Sequence, residues 1–294
     1  MTRLVRVPSD EQLAPLLCAY REAAAAKRRQ LLLGGGLVGI ALALSAVGAE
    51  VQPATLWNKI GNFTSYFDRL LTLDSGARVW TDPHEWFWGL ARWSRLLGET
   101  ALIAYVATTT GAAVAIIATA PASRNLMRHA WVRFVVRRSL EFCRTVPDIV
   151  FALIFVAAFG LGALAGVLAM TLHTAGTLGK LFTEVAENID MRPVEGIAST
   201  GGSWLAQVRF GAMPQVLSNL ASYILLRFEI NVRGATVIGI VGAGGIGEDL
   251  IVAIRKFFYS DVSAILLMIV ATVMLIDMLS ARVRHRLLAT ETQR

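Results

Sequence analysis

Long runs of residues without a formal charge constrain the fold of this chain most strongly. Residues 31–49 and 101–120 contain no charged side chain, and residues 149–179 continue for 31 positions without one. About 20 apolar residues in a helix cross the ~30 Å hydrocarbon core of a bilayer, whereas 31 would make about 46 Å of helix. The runs predict an all-α membrane protein in which Gly160 and Gly162 divide the longest run into two helices.

Composition supports a membrane location. Charged residues make up 17% of the chain, against roughly 25% in soluble domains, which leaves too little polar material to coat a soluble fold. A cleaved signal peptide is the competing interpretation of residues 31–49, but the charged leader before them is too long for one. We predict six spans, at residues 31–49, 101–120, about 138–159, 162–186, a fifth after Pro214, and 262–280.

The basic residues predict the orientation of these spans. Cytoplasmic segments of membrane proteins carry an excess of Lys and Arg. Three segments of this chain have such an excess: residues 1–30 have six basic and three acidic residues, 121–145 have six and one, and 282–294 have four and one. The alternate segments, 50–95 and 240–261, are balanced or acidic. We expect a cytoplasmic tail or surface helix at 1–30, a first membrane helix at 31–49, a periplasmic loop at 50–95, a membrane core at 96–281 and a cytoplasmic tail at 282–294.

A glycine pattern typical of dinucleotide-binding folds, G-x-G-x-x-G, occurs in the stretch VIGIVGAGGIGEDL at residues 237–250. Such a fold needs another parallel strand after the helix, yet residues 262–280 are a predicted span and no alternation of strands and helices precedes them. We therefore reject a dinucleotide enzyme. The glycines are expected to form a turn at the outer end of the fifth span, where they either line a substrate path or let helices pack closely. The candidates for the path are Gly242, Gly244 and Gly245.

Charged residues interrupt the fifth apolar segment in the stretch RFEINVR, residues 227–233. A charge at the bilayer centre costs about 2.5–3.5 kcal/mol on insertion scales, so these side chains are expected to face protein or water. Glu229 and Arg233 share one helix face and could simply neutralise each other, whereas Arg227 shares the opposite face with Asn231. A guanidinium without a local acid suits an anionic substrate. His173 in the fourth span is a weaker candidate, because a hydrogen-bonded core histidine is the simpler interpretation.

A second signal lies on the predicted cytoplasmic side, in the stretch VEGIASTGGSWLAQVRFGAMPQ, residues 194–215. It resembles the EAA motif of ABC importer permeases, because Glu195, Gly201 and Pro214 keep the spacing of the motif's glutamate, glycine and proline. Gly196 and Ile197 replace its two alanines, and Gly211 replaces its isoleucine. The segment predicts two short amphipathic helices around a glycine turn, which form the coupling loop 190–214. The resemblance implies that a partner ATPase is contacted by Glu195, Gly196, Ile197, Gly201, Gly202, Trp204 and Pro214.

The blocks PVEGI-x-x-TG, RFE-x-NVR-x-ATV-x-G-x-VGAGGIG and FALIFV-x-AFGLG are similar to phosphonate ABC transporter permeases over most of residues 57–285. This resemblance implies a MetI-like permease fold and the uptake of phosphonates or related phosphorus oxyanions. It also implies three kinds of protein partner: a second copy of the chain, two ABC ATPase subunits and a periplasmic phosphonate-binding protein.

Other classes of function fit the sequence less well. No Walker A sequence occurs, so we expect no enzyme activity and no cofactor on this chain, with ATP and Mg held by the partner ATPase. Cys18 and Cys143 are too far apart for a metal site, and the arginines lie beside apolar runs, which indicates contact with membrane lipid and no binding of nucleic acid. A permease for phosphate, phosphite, sulfonate or an amino acid, a secondary transporter and a membrane redox enzyme remain the alternatives.

Overall fold

The computed structural model describes residues 10–50 and 53–289, and no β-strand occurs in them beyond one isolated bridge between Thr72 and Arg78. The chain divides into two units, the first ending at Tyr66 and the second beginning at Phe67. The all-α fold predicted from the charge-free runs is confirmed.

Helix α1 (Asp10–Gly48) lies in the first unit and is continuous over 39 residues. It joins the predicted surface helix and the first predicted span into one element, and its part from Cys18 to Gly48 is long and apolar enough to cross a membrane. Helix α2 (Pro53–Leu70) follows within the predicted periplasmic loop and ends in the second unit. Its first residue is a proline, whose fixed φ suits the first turn of a helix.

The second unit contains the remaining described helices. These are α3 (Pro83–Trp86), α4 (Leu90–Ala122), α5 (Ala130–Thr145), α6 (Asp148–Phe159), α7 (Ala163–Glu187), α8 (Arg192–Ser199), α9 (Trp204–Ala206), a π-helical turn (Gln207–Ala212), α10 (Met213–Gly239), α11 (Ile246–Arg255) and α12 (Tyr259–Ala289).

Helices α4 and α7 pack tightly through small residues. A Cβ atom added to Gly111 of α4 would lie 2.8 Å from the Thr174 Cβ of α7. Ala107 of α4 and Ala169 of α7 are fully buried in the same central cluster, to which α10 contributes Val232. Small side chains let helix backbones approach closely, and this close packing holds helices together where lipid is as apolar as the core. The three helices form the framework on which the polar residues described below are placed.

The region 138–159, predicted as one span, is divided in the structure. Helices α5 and α6 meet at an angle of 88°, because Val146 takes an extended conformation before Pro147. A residue before proline is disfavoured in the helical region, so Pro147 is the signal that the sequence interpretation overlooked. The predicted division at Gly160 and Gly162 is confirmed, with φ angles of 88° and 138° at those glycines.

Three described helices are long and apolar enough to cross a membrane, and a fourth crossing is obtained if the bent α5–α6 pair counts as one span. They are α1 from Cys18, α4, and α12 as far as Arg284. Helices α7 and α10 have 25 and 27 residues, which exceeds the length that a bilayer requires, but both contain charged side chains. A total of six spans stays a prediction.

Candidate functional site

A buried polar cluster joins α10 to the α4–α7 pair. Asn231 is 2% exposed, and its Nδ2 donates to Thr108 Oγ1 of α4 at 2.8 Å and to Thr174 Oγ1 of α7 at 2.9 Å. Arg227 is 9% exposed, and its Nε donates to the same Thr174 hydroxyl at 3.4 Å. Arg227 and Asn231 lie one helical turn apart on one face of α10, as the sequence spacing predicts. The cluster therefore fixes a guanidinium group between three long helices.

Arg227 has no carboxylate partner in an ion pair within residues 10–50 and 53–289. The acid that acts on it electrostatically is Asp148, at the start of α6. One oxygen of Asp148 accepts from the Ile149 N–H at 2.9 Å, and the other lies 3.6 Å from where a Cβ on Gly234 would stand. The break between α5 and α6 therefore brings a carboxylate close to α10. The sequence interpretation missed Asp148, although the pair Pro147–Asp148 at the head of an apolar run was a signal for it.

His173 supports the break in the α5–α6 pair. Its Nδ1 lies 3.1 Å from the carbonyl oxygen of Val146, the last residue before Pro147. That carbonyl has no helical partner, because α5 ends at Thr145 and Val146 is extended, while the Val150 N–H that lies four residues on bonds the Pro147 carbonyl instead. The simpler of the two interpretations, a hydrogen-bonded core histidine, accounts for this contact, and a role of His173 in the substrate path stays a prediction.

Arg233 differs from Arg227 in both exposure and pairing. It forms an ion pair with Glu229 one turn away, with 54% of the Arg233 side chain exposed and 11% of the Glu229 side chain. Asp277 of α12 and Arg284 act on the Glu229 carboxylate electrostatically. The neutralising pair expected from the sequence is present, and it belongs to a mixed-charge cluster between α10 and α12.

The glycine turn after α10 is enclosed by neighbouring backbone. Gly242, Gly244 and Gly245 all have φ angles between 82° and 85°, a region that residues with a Cβ rarely adopt. The Gly242 carbonyl accepts from Gly162 N–H at 2.9 Å, and a Cβ on Gly244 would lie 3.2 Å from the Ala163 nitrogen. The turn therefore packs onto the connection between α6 and α7. This explains the glycines as a requirement of conformation and close packing, and their place in a substrate path stays a prediction.

The third glycine of the pattern, Gly247, serves the crossing of α10 and α11. A Cβ on Gly247 would collide with the carbonyl oxygen of Thr236, and one on Gly239 would lie 3.0 Å from the Gly247 Cα. The three glycines that resemble a dinucleotide motif therefore have two structural roles. Gly242 and Gly244 form the turn, and Gly247 lets the backbones of α10 and α11 cross in contact.

Two helices flank the glycine turn of the predicted coupling loop, as the sequence predicts. Helix α8 ends at Ser199, Gly201 takes a φ of 80°, and Ser203 caps α9 by accepting the Ala206 N–H. Gly202 donates to the Ile197 carbonyl at 3.0 Å. Trp204 donates its ring N–H to the Leu126 carbonyl at 2.8 Å, which holds the segment against the connection between α4 and α5.

Glu195 is exposed and borders a groove of about 650 Å³. The groove lies between α8–α9 and the connection from α4 to α5, with Arg128 and His129 along its far side and Trp204 along its near side. Gly196 is also exposed, with no atom within 4 Å of an added Cβ. These side chains present an open surface.

Gly211 is one of the departures from the EAA pattern, and the structure gives a steric reason for it. A Cβ at this position would lie 2.9 Å from the Cα of Val194, which is buried in α8. The π-helical turn therefore lies against α8, and Pro214 then falls in the first turn of α10, where proline is tolerated because its missing N–H is not needed. The isoleucine of the motif is incompatible with this contact.

Residues 111–288 match the family described as binding-protein-dependent transport system inner membrane component. The match covers more than half of the chain. The chain belongs to this family. It is a transport subunit of the ABC importer type, as predicted from Glu195, Gly201 and Pro214.

Two curated relatives support the assignment. The chain is 39% identical over 198 residues to the phosphite transport system permease protein PtxC of Stutzerimonas stutzeri, which covers 67% of this chain and 72% of that protein. It is 50% identical over 117 residues to the protein provisionally named as the cryptic phosphonate transport system permease PhnE2 of Escherichia coli (strain K12), covering 40% of this chain and 96% of that protein.

The fold is shared with a solved importer. A chain from the structure of inward-facing conformations of the MetNI methionine ABC transporter superposes with a TM-score of 0.58 at 18% identity, covering 70% of this chain and 98% of that one. The MetI-like permease fold predicted from the sequence is confirmed.

Proposed function

We propose that this permease imports phosphonates, or closely related phosphorus oxyanions, that a periplasmic binding protein delivers. The names of two relatives, one for phosphite and one for phosphonate, support this class of substrate. The observation that carries the proposal is Arg227, a buried arginine on a long helix without an ion-paired acid in the described residues. A guanidinium group in such a place requires an anion or water, and its planar fork matches the oxygens of a phosphonate.

The polar cluster provides selective but reversible binding. The hydroxyl of Thr174 and the amide of Asn231 orient Arg227 and offer neutral hydrogen-bonding groups beside it. Asp148 reduces the positive potential, which shortens the residence of an anion, and transport requires binding weak enough for release. In this proposal Arg233 guides the anion from the α10–α12 side, and Glu229 fixes the geometry of Arg233. The glycines Gly242, Gly244 and Gly245 line the outer end of the path, and His173 holds the break in the α5–α6 pair.

The cytoplasmic loop 190–214 couples transport to ATP. Glu195 and Gly196 lie on the exposed side of α8, and Gly201 allows the reversal that leads to Trp204. We propose that this loop acts as a knob that inserts into a groove on an ATPase subunit. A second copy of the permease completes the path, and its knob engages the second ATPase subunit. Both ATPase subunits hold ATP and Mg. ATP-driven closure of the ATPases then draws the two knobs together, and the permeases open outward.

Six spans and cytoplasmic termini in a bacterial inner membrane complete the proposal. The distribution of basic residues supports this orientation, and the apolar lengths of α1, α4 and α12 support a multi-pass arrangement. The region 96–281 would then be the permease core, with residues 1–30, 50–95 and 282–294 outside the bilayer.

Replacing Arg227 tests the proposal. Arg227→Gln, in the complex with its ATPase and binding protein reconstituted in liposomes, is expected to reduce phosphonate uptake at least tenfold, because loss of one charged hydrogen bond costs about 1.5–3 kcal/mol. Arg95→Gln, at an exposed position on α4, is the matched control. Normal uptake by Arg227→Gln would remove this side chain from the path. Stimulation of the wild-type ATPase only by a methionine- or sulfonate-loaded binding protein would overturn the substrate class.

A further inference from the structure

A basic and aromatic cavity lies beside the first half of α5, away from the cluster around Arg227. It measures about 850 Å³. Its lining residues are Arg124, Ala130, Trp131, Arg133, Phe134 and Arg137.

Contacts of Arg137 place this cavity at the ends of two long helices. The Arg137 Nε donates to the carbonyl oxygen of Ala122, the last residue of α4, at 2.7 Å. Its guanidinium also pairs with Glu187, the last residue of α7. Both helices end on the side where the sequence carries six basic residues against one acid, so the cavity lies at the predicted cytoplasmic surface of the membrane.

The cavity retains positive charge after its internal contacts are counted. Glu187 accepts from the Arg124 backbone N–H at 2.7 Å and pairs with Arg137, so three arginines are set against one carboxylate. Arg133 donates to the Met127 carbonyl at 3.0 Å, which is a neutral acceptor. The Arg124 side chain is exposed, and within residues 10–50 and 53–289 no hydrogen bond or ion pair of its guanidinium occurs. A ligand with one or two negative charges would complete the site.

Two aromatic rings form the apolar wall of the cavity. Trp131 is 75% exposed and Phe134 is 51% exposed, and their rings stack with centroids 5.9 Å apart. Exposed tryptophan beside arginine is typical of side chains at the level of the lipid headgroups, where the ring meets the acyl region and the ring N–H stays in contact with water. A soluble anion would use the arginines and leave these rings uncovered.

We infer that this cavity binds the headgroup of an anionic phospholipid from the cytoplasmic leaflet. The phosphate would lie among Arg124, Arg133 and Arg137, and the glycerol and first acyl carbons would cover Trp131 and Phe134. Helix α5 is the first half of the bent α5–α6 pair, which carries Asp148 at its break. A bound lipid would therefore hold α5 in place relative to α6. The inference does not depend on the substrate.

The test measures lipid binding by the purified full-length protein in neutral detergent, using native mass spectrometry. Phosphatidylglycerol is expected to bind the wild type more tightly than phosphatidylcholine does, since only the former carries net negative charge. Arg124→Gln is expected to lower the apparent affinity for phosphatidylglycerol about fivefold, the factor for one arginine near an anionic surface. Trp131→Ala, which removes the apolar wall, is expected to weaken binding as well.

Arg95→Gln is the matched control, because it removes an equal charge from an exposed position near the other end of α4. It is expected to leave the affinity unchanged. Equal affinity in Arg124→Gln and the wild type would overturn the inference, as would equal binding of phosphatidylcholine. Displacement of the lipid by millimolar inorganic phosphate would assign the arginines to a soluble anion. Loss of the lipid on addition of the ATPase subunits would show that these subunits occupy the cavity, and it would also refute the inference of a lipid site.

Discussion

One glycine turn precedes the segment that leads into α10, and another follows the end of α10. The two turns differ in what surrounds them. The turn after α10, residues 242–245, is enclosed: a Cβ on Gly244 would lie close to Ala163, and one on Gly245 close to Thr100. In the turn of the coupling segment, Gly201 is open, since it is exposed and no atom lies within 4 Å of an added Cβ, whereas a Cβ on Gly202 would meet Ile197 of the same segment. Both turns require a positive φ, so the conformation alone does not distinguish them. The difference indicates that the turn after α10 holds helices together, whereas Gly201 leaves an exposed surface.

The largest effect is expected at the enclosed end. Gly247→Ala places a Cβ against the Thr236 carbonyl, a backbone atom that cannot move without separating α10 from α11. We expect little folded protein, because overpacking against backbone costs about 1–3 kcal/mol or more. The measurement is the yield of monodisperse protein after membrane extraction. A normal yield of Gly247→Ala would contradict the enclosed packing of this end.

Gly196→Ala is the matched control for that substitution. Gly196 lies in α8 with open space around it, so alanine is expected to stabilise the helix by about 0.5–1 kcal/mol. The substitution also restores the alanine found at this place in the EAA motif. A loss of folded protein in the control would remove the contrast between the two ends.

A functional effect without loss of stability is expected at the open end. Glu195→Gln removes a charge from an exposed side chain at the edge of the α8–α9 groove. We expect uptake to fall about tenfold while the melting temperature of the permease stays within a few degrees, since an exposed charge contributes little to folding. Uptake is measured together with ATPase activity stimulated by the binding protein. Full coupling in this variant would show that the open surface does not depend on Glu195.

A small loss of stability is expected at Gly201. Gly201→Ala meets no neighbouring atom, so its cost is the left-handed conformation alone, about 1 kcal/mol. We expect a fall of a few degrees in melting temperature and unchanged extraction from the membrane. A loss as large as that of Gly247→Ala would mean that Gly201 is enclosed like Gly247.

Much of the fold was predictable because membrane helices leave long apolar runs. The runs predicted α1, α4, α7 and α12, and Gly160 with Gly162 marked the division between α6 and α7. The bend at Pro147 and the helix α2 were not predicted. The first was overlooked within a continuous apolar pattern, and the second lies in a segment whose polar composition suggested a loop.

The candidate site was predictable only in part, because a sequence gives the face of a helix but not the partner of that face. The spacing within RFEINVR predicted that Arg227 and Asn231 lie together and that Glu229 pairs with Arg233. It could not predict that Thr108 and Thr174 from two other helices bond Asn231, or that Asp148 acts on Arg227 across the break.

The sequence by itself determined that the chain is a helical membrane protein with an EAA-type coupling segment, since charge-free length and local spacing are properties of neighbouring residues. The tertiary structure alone decided which arginine of α10 is buried and which is paired with a neighbour. It also decided which glycine turn is enclosed and where the α5–α6 pair bends toward α10. These outcomes depend on the approach of helices distant in the chain, which is governed by close packing of small residues and by the need to satisfy buried polar groups.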